Sequence, residues 1–175
     1  MKNLFLLRHC EAYHFEENKS DHEKQLNENG RKCARLLKNW FEKKDIALDF
    51  ILTSSANRTL TTANIIFSNY ENKICKKNEL YLCDYKEILR EVKLLDNNFN
   101  SVVIVGHEPS ISESLKFLTS YCRPDLEYVT KSFYPTGGLS VINFNVTNWN
   151  KIDEKTGILD AFITPQYIEE YEKNN

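Results

Sequence analysis

Arg8 and His9 stand side by side at the end of the apolar run Leu4-Phe5-Leu6-Leu7. Two later stretches repeat the arrangement. Phe50-Ile51-Leu52 feeds SSANRTLTTA, which carries Arg58, and Val102-Val103-Ile104-Val105 ends in Gly106-His107-Glu108-Pro109. Taken singly, each is a strand end meeting solvent, where any polar pair would serve. Together, if the strands run parallel, they open on one rim of a sheet and gather two arginines and two histidines there. Arginine keeps its charge in proteins and presents a planar fork of donors suited to phosphate. Such a cluster repels itself unless an anion sits in it, and a tetrahedral dianion suits this donor set better than a carboxylate. The first turn of the helix carrying Arg58 adds free N–H groups and positive partial charge. Gly106 is expected to let the backbone approach the anion without an intervening Cβ.

Two histidines in such a pocket divide the work. One serves as a nucleophile toward phosphorus if it is neutral with one ring nitrogen free. The cationic surroundings depress its pKa and favour that form. The other donates to an oxygen of the anion and stabilises charge in the transition state. His9 is the better nucleophile candidate, because a backbone carbonyl near the strand end can hold its far nitrogen. His107 is then the donor.

These groups need elements to hold them. After the first strand comes a polar stretch, from about Tyr13 to Asn29. Gly30 opens a helical pattern in which Cys33, Leu36, Leu37, Trp40 and Phe41 recur at helical spacing. Thr53-Ser54-Ser55 offers N-cap chemistry for a helix bearing Leu60, Ala63, Ile66 and Phe67 on one side. Glu79 to Cys83 reads as a brief strand, and residues 84–96 as an amphipathic helix through Ile88, Leu89, Val92 and Leu95. Val102–Val105 is a β-branched buried strand. A helix is expected from Ser110 to about Tyr121 with Pro109 at its start. Leu139–Phe144 and Ile158–Ile163 read as strands. The alternation predicts an α/β fold, a three-layer α/β/α sandwich on a mostly parallel sheet, formed by residues 1–175 as a single domain. Ligands in such folds sit beyond the carboxyl ends of the strands.

Composition narrows the class. A chain of 175 residues with 41% hydrophobic and 12% aromatic content can bury one sizeable core. A formal net charge of -2 gives no global field for nucleic acid or an anionic membrane. The 5 cysteines include no C-x-x-C pair, which argues against a zinc ribbon or disulfide framework and fits a reducing cytoplasm. Residues 1–9 put one Lys ahead of an apolar run that is too short for a signal peptide and far too short for a membrane span. His14 and His22 have no Cys or carboxylate companions at zinc-ligand spacing, and both read as solvated loop residues.

Three motifs in order carry a resemblance. LLRHCEA resembles the R-H-G signature of the histidine phosphatase superfamily, the phosphoglycerate mutase-like fold. SSANRTLTTA is similar to its S-x-x-x-R-T-x-x-T-A motif, and VVIVGHEPSI to its G-H-x-P motif. The short length, FYPTGGLSVINF, Trp149 and FITPQYI resemble the SixA-type phosphohistidine phosphatase branch. The resemblance implies that His9 takes the phosphoryl group, forming a phosphohistidine intermediate that water then hydrolyses. It also implies that Arg8, Arg58 and His107 bind the phosphate oxygens, without metal or other cofactor. The implied partner is a phosphorylated substrate, for this branch a phosphohistidine carrier domain in a signalling system.

Two departures bear on that expectation. Cys10 stands where the family usually has glycine. Residues 59–105 contain no glycine and so lack the Gly-containing acidic stretch that supplies a general acid in mutase-like relatives. Asp84, Glu87 and Glu91 fall on a helical pattern instead. Glu108 resembles the placement of the acid in the acid-phosphatase branch, although a first-turn glutamate is also favoured by the helix dipole alone. A missing acid matters little when imidazole leaves from a P–N bond. Two other readings stand beside this one: a phosphatase of a small phosphate ester or nucleotide with Glu108 or Asp84 as acid, and a catalytically weak phosphate-binding regulatory module.

Overall fold

The computed structural model describes residues 1–131 and 133–173. Seven strands form one sheet: β1 (Lys2–Arg8), β2 (Phe50–Ser54), β3 (Ile74–Lys77), β4 (Ser101–Gly106), β5 (Thr119–Cys122), β6 (Leu139–Phe144) and β7 (Gly157–Ile163). Their order is β3-β2-β4-β1-β6-β7-β5. All neighbours pair in parallel except at β6, which is antiparallel to both β1 and β7.

Alternating side chains of the central strands are buried on both faces. Leu4 and Leu6 of β1, with Val102 and Ile104 of β4, pack against α3 (Tyr85–Lys93) and α4 (Ser110–Leu118). Phe5, Leu7, Val103 and Val105 face α1 (Glu28–Lys43), α2 (Asn57–Ile66) and α5 (Pro165–Lys173). Two-sided burial is why these strands read as continuous apolar runs. The result is the three-layer α/β/α arrangement, with a mostly parallel sheet.

Three elements differ from the sequence expectation. Glu79–Cys83 is not a strand: Asn78–Leu80 is a 3₁₀ turn, and the strand lies upstream at Ile74–Lys77. That strand sits at the sheet edge, where a half-exposed Ile-Cys-Lys-Lys needs no apolar run. The helix from Ser110 stops at Leu118, and the β-branched Thr119 instead begins β5, paired with β7. The charged, tyrosine-rich α5 was not expected at all; its Tyr167 N–H donates to Thr164 Oγ1 at 3.1 Å, one capping bond at its start.

Candidate active site

Parallel pairing aligns the three strand ends. Arg8 of β1 lies opposite Gly106 of β4, and Thr53 of β2 opposite Val105. The next residues are therefore neighbours: His9 N–H donates to the Gly106 carbonyl at 3.0 Å. The rings of His9 and His107 come to 5.2 Å between centroids, tilted by 60°.

The two rings are held differently. His9 Nδ1 lies 2.7 Å from the Cys10 carbonyl oxygen. A carbonyl only accepts, so Nδ1 carries the hydrogen, and in the neutral ring Nε2 keeps its lone pair. No hydrogen-bond partner for Nε2 occurs among the described residues. His107 is buried; its Nε2 lies 2.8 Å from Ser54 Oγ at the end of β2, and its Nδ1 is buried with no partner among the described residues. Both rings titrate well below the ordinary value of 6.5. Burial is the larger cause and the nearby arginines the lesser one, which reverses the weighting expected from charge alone. His9 is pushed down to about 4, against an opposing bond to Cys10; His107 is pushed down to about 3, with His9 and Arg58 adding to its burial.

Arg8 Nη1 donates to the Tyr134 carbonyl at 2.6 Å, while its guanidinium lies over the exposed Phe133 ring, 5.0 Å from the centroid. Its Nε is buried without a partner among the described residues. Burial pulls the Arg8 pKa down, and Glu108 opposes that shift. Arg58, in the first turn of α2, is nearly buried and donates to the Asp21 carbonyl at 2.5 Å and to Asp21 Oδ2 at 2.9 Å. Tyr81 completes this contact, its hydroxyl donating to Asp21 Oδ2 at 2.8 Å, while its ring and that of His107 meet in a T-shape with centroids 5.6 Å apart. Burial tends to raise the Asp21 carboxyl, but bonds from Tyr81, Arg58 and Lys24 outweigh it and hold the group far below its usual range.

The threonines and serines of the second motif join these segments. Thr59 Oγ1 donates to the Ser54 carbonyl at 2.8 Å. Thr62 Oγ1 accepts from Cys10 N–H at 3.1 Å and donates to the Arg58 carbonyl at 2.7 Å. The serines therefore do not cap α2, whose N-cap position is Ala56 without a side-chain cap. Ser54 goes to His107, and Ser55 Oγ lies 2.9 Å from His22 Nε2. His22 is thus a half-buried tie between the polar loop and the rim, whereas His14 is exposed. Gly106 also differs from expectation: a Cβ there would stand 3.0 Å from Ile111 Cδ1, so the glycine accommodates α4. Asp21, Tyr81 and Ser54 were not foreseen as members of the site. Ser54 was visible as the first letter of its motif, while Asp21 lay in the polar stretch without a pattern and Tyr81 in a segment that reads as a strand.

Of the acids considered, Asp84 Oδ1 accepts from the Lys86 and Glu87 N–H groups and caps α3. Glu108 Oε1 accepts from Ser112 N–H at 3.1 Å. Glu91 is buried in an ion pair with Lys77 at 2.9 Å. Among the described residues no group of three His, Cys, Asp or Glu side chains is placed to hold a metal ion, and no helix is long and apolar enough to cross a membrane.

Residues 4–93, which include Arg8, His9 and Arg58, match the family model of the histidine phosphatase superfamily, branch 1. The chain belongs to the histidine phosphatase superfamily. As a member it is a phosphatase, a hydrolase of phosphoryl groups. His107 lies beyond the matched segment. An uncharacterized protein of Mycobacterium leprae is 27% identical over 164 residues, 91% of this chain and 100% of the relative. Among solved structures, a protein of Agrobacterium tumefaciens named SixA superposes with a TM-score of 0.78 at 24% identity, covering 94% of this chain and 98% of that one. The protein histidine phosphatase SixA complexed with tungstate gives 0.75 at 20% identity, covering 94% and 97%. These superpositions establish that this histidine phosphatase has the phosphoglycerate mutase-like fold.

Proposed function

We propose that this histidine phosphatase uses His9 as its nucleophile and acts on phosphohistidine in a protein. The observation that carries the reading is the pairing of a free, neutral His9 Nε2 with two buried nitrogens that have no hydrogen-bond partner among the described residues, Arg8 Nε and His107 Nδ1. A buried donor left unpaired is costly, and a phosphate oxygen satisfies it. In this reading the phosphoryl group sits against Arg8, Arg58 and His107. His9 Nε2 attacks phosphorus in line with the leaving nitrogen, the P–N bond to the substrate breaks, and a new P–N bond to His9 forms. Water then attacks phosphorus, releasing phosphate and restoring His9. Ser54 supports the donor role of His107: a hydroxyl donating to Nε2 leaves the hydrogen on Nδ1.

The setting of the acids supports this substrate class. Asp84 Oδ1 and Glu108 Oε1 each accept backbone N–H groups at the start of a helix, a structural use that favours a leaving group needing no acid over an alkoxide. A leaving imidazole needs little such help. The tungstate-bound relative is a protein histidine phosphatase by name, which is in keeping with this choice. Such a substrate would be a phosphohistidine carrier domain of a signalling system, met in the cytoplasm by residues 1–175 acting as one domain.

The competing reading, a small phosphate ester or nucleotide, draws on the influence of Glu108 at Arg8. Turnover of a ³²P-labelled phosphohistidine carrier domain, measured beside a panel of phosphate esters, separates the two. The carrier is expected to be dephosphorylated fastest, at a rate that Glu108→Gln leaves within about threefold. Faster turnover of any ester, with a large loss in Glu108→Gln, would overturn the phosphohistidine assignment.

A further inference from the structure

Directly behind His9 lies a pair of thiols that the proposed chemistry does not use. Cys10 Sγ and Cys33 Sγ are 3.2 Å apart. Cys10 is fully buried, but Cys33, on α1, is half-buried and lines an open cleft of about 400 Å³ with Glu11, Lys32, Pro135, Thr136 and Pro165. One sulfur of the pair is therefore reachable from solvent and the other is reachable only through it.

We propose that Cys10 and Cys33 are a redox modification site, oxidised by a peroxide to a reversible disulfide that misplaces His9. The accessible Cys33 sulfur, as thiolate, attacks a peroxide oxygen. The O–O bond breaks, and with hydrogen peroxide the products are Cys33 sulfenic acid and hydroxide, which takes up the proton that the Cys33 thiol released and becomes water. Cys10 sulfur then attacks Cys33 sulfur; the S–S bond forms, the S–O bond breaks, and the departing hydroxide takes up the Cys10 proton as water. Two thiols and one hydrogen peroxide give one disulfide and two waters, two electrons passing from sulfur to oxygen. The order follows from the surroundings. Cys10 is held well above the ordinary thiol value, first by its bond with the Cys33 thiol and then by burial, and so waits as the resolving partner.

The pair has no slack on the side of the site. Bonding shortens the sulfur separation to about 2.05 Å, so the sulfurs close by roughly 1 Å between them. Gly137 packs against them: a Cβ there would stand 2.4 Å from Cys33 Sγ and 3.6 Å from Cys10 Sγ. The Gly137 N–H in turn lies 3.2 Å from both the Arg8 and His9 carbonyls. Cys10 is itself pinned by Thr62 at its N–H and carries, on its carbonyl, the hydrogen bond that orients His9. A shift of Cys10 is thus a shift of the His9 ring, and displacements of this size cost roughly 10²-fold in rate. Cys75, Cys83 and Cys122 lie on other parts of the sheet and its edge turns.

The test uses the whole chain, reduced and then exposed to hydrogen peroxide. It follows aryl-phosphate hydrolysis and maps disulfides in unreduced peptides by mass spectrometry. The wild type should lose at least about tenfold of its activity as a Cys10–Cys33 linked peptide appears, and dithiothreitol should restore it. Cys33→Ser, with Cys33→Ala as a second variant should the first fail to fold, should keep its activity through the same exposure. Absence of the linked peptide, equal loss in the Cys33 variants, or a linked protein with undiminished activity would each overturn the proposal. The activity arm rests on the His9 assignment. The peptide map reads the linkage regardless of turnover, so a failed His9 assignment shows as activity that survives in His9→Ala, not as unlinked peptides.

Discussion

The ends of β1 and β4 place the same side chain at the same level of a parallel pair, yet the two histidines are held in opposite ways. Beyond β1 the chain runs into a loop pinned by Thr62 and Gly137, and His9 finds the next carbonyl along its own backbone. Beyond β4 the chain turns into α4, and His107 finds a hydroxyl supplied by β2. The first arrangement leaves Nε2 with a lone pair and no partner among the described residues. The second leaves a buried Nδ1 unpaired. Since both rings are neutral well below pH 6.5, charge state does not distinguish them. Hydrogen-bond partners do, and in the proposed mechanism they suit one ring to attack and the other to donation.

The largest effect should come from removing the attacking ring. His9→Ala is expected to lower kcat on any phosphorylated substrate by at least about 10³-fold and to abolish an alkali-stable, acid-labile ³²P label on the enzyme. His107→Ala should cost about 10²–10³-fold, the scale of one lost transition-state donor, while still accumulating label. If the labels were reversed between the two variants, the contrast between the strand ends would be assigned the wrong way round. Ser54→Ala sits below both. Losing one hydrogen bond of about 1.4 kcal/mol should lower kcat about tenfold, with KM moving less.

That gradation mirrors what could be read in the sequence. Arg8, His9, Arg58 and His107 were legible because each follows an apolar run, and parallel two-sided burial makes such runs both conspicuous and convergent at their ends. The tie between His9 and a backbone carbonyl was also foreseeable, since it is local. Ser54 was misread as a cap because its contact with His107 spans 53 positions and depends on β2 lying beside β4. Asp21 left no periodic trace, and Tyr81 stood in a segment that reads as a strand. They meet Arg58 because the Asp21–Glu23 turn packs over the start of α2. Edge strands β3 and β5 were missed for the related reason that one exposed face needs no apolar run.

The histidines also couple the site to stability. Folding lowers both pKa values, so between about pH 4 and 6.5 the unfolded chain binds more protons than the folded one. Their contribution is intact above pH 6.5 and declines as the pH falls toward 4 for His9 and 3 for His107. Unfolding midpoints of the free enzyme should therefore drop between pH 7 and pH 4.5, with a shallower drop in His107→Ala. Saturating phosphate should oppose the fall, because an anion between the rings favours their protonated forms. A midpoint flat over this range would mean the rings are not held neutral by the fold, and the contrast in their hydrogen bonding would lose its footing.

The smallest effect concerns the residue that binds Arg58 before any substrate does. Asp21 gives Arg58 a carbonyl and a carboxylate oxygen, and Tyr81 fixes that carboxylate from the other side. The carboxylate both positions the guanidinium and repels an incoming dianion, and the two functions have opposite signs in an inhibition assay. Asp21→Asn keeps the carbonyl contact and a side-chain oxygen for Tyr81 but removes the charge. Because the Asp21 side chain is about half exposed, at 48%, the repulsion is screened and its removal is worth about 0.5 kcal/mol. The inhibition constant of inorganic phosphate should then fall about twofold at low ionic strength, and the gain should vanish in high salt. Weaker phosphate binding in the variant, independent of salt, would show that Asp21 acts on Arg58 by placement. The rim at α2 would then resemble the His107 side, where partners position a donor, more than the His9 side, where a group is left free.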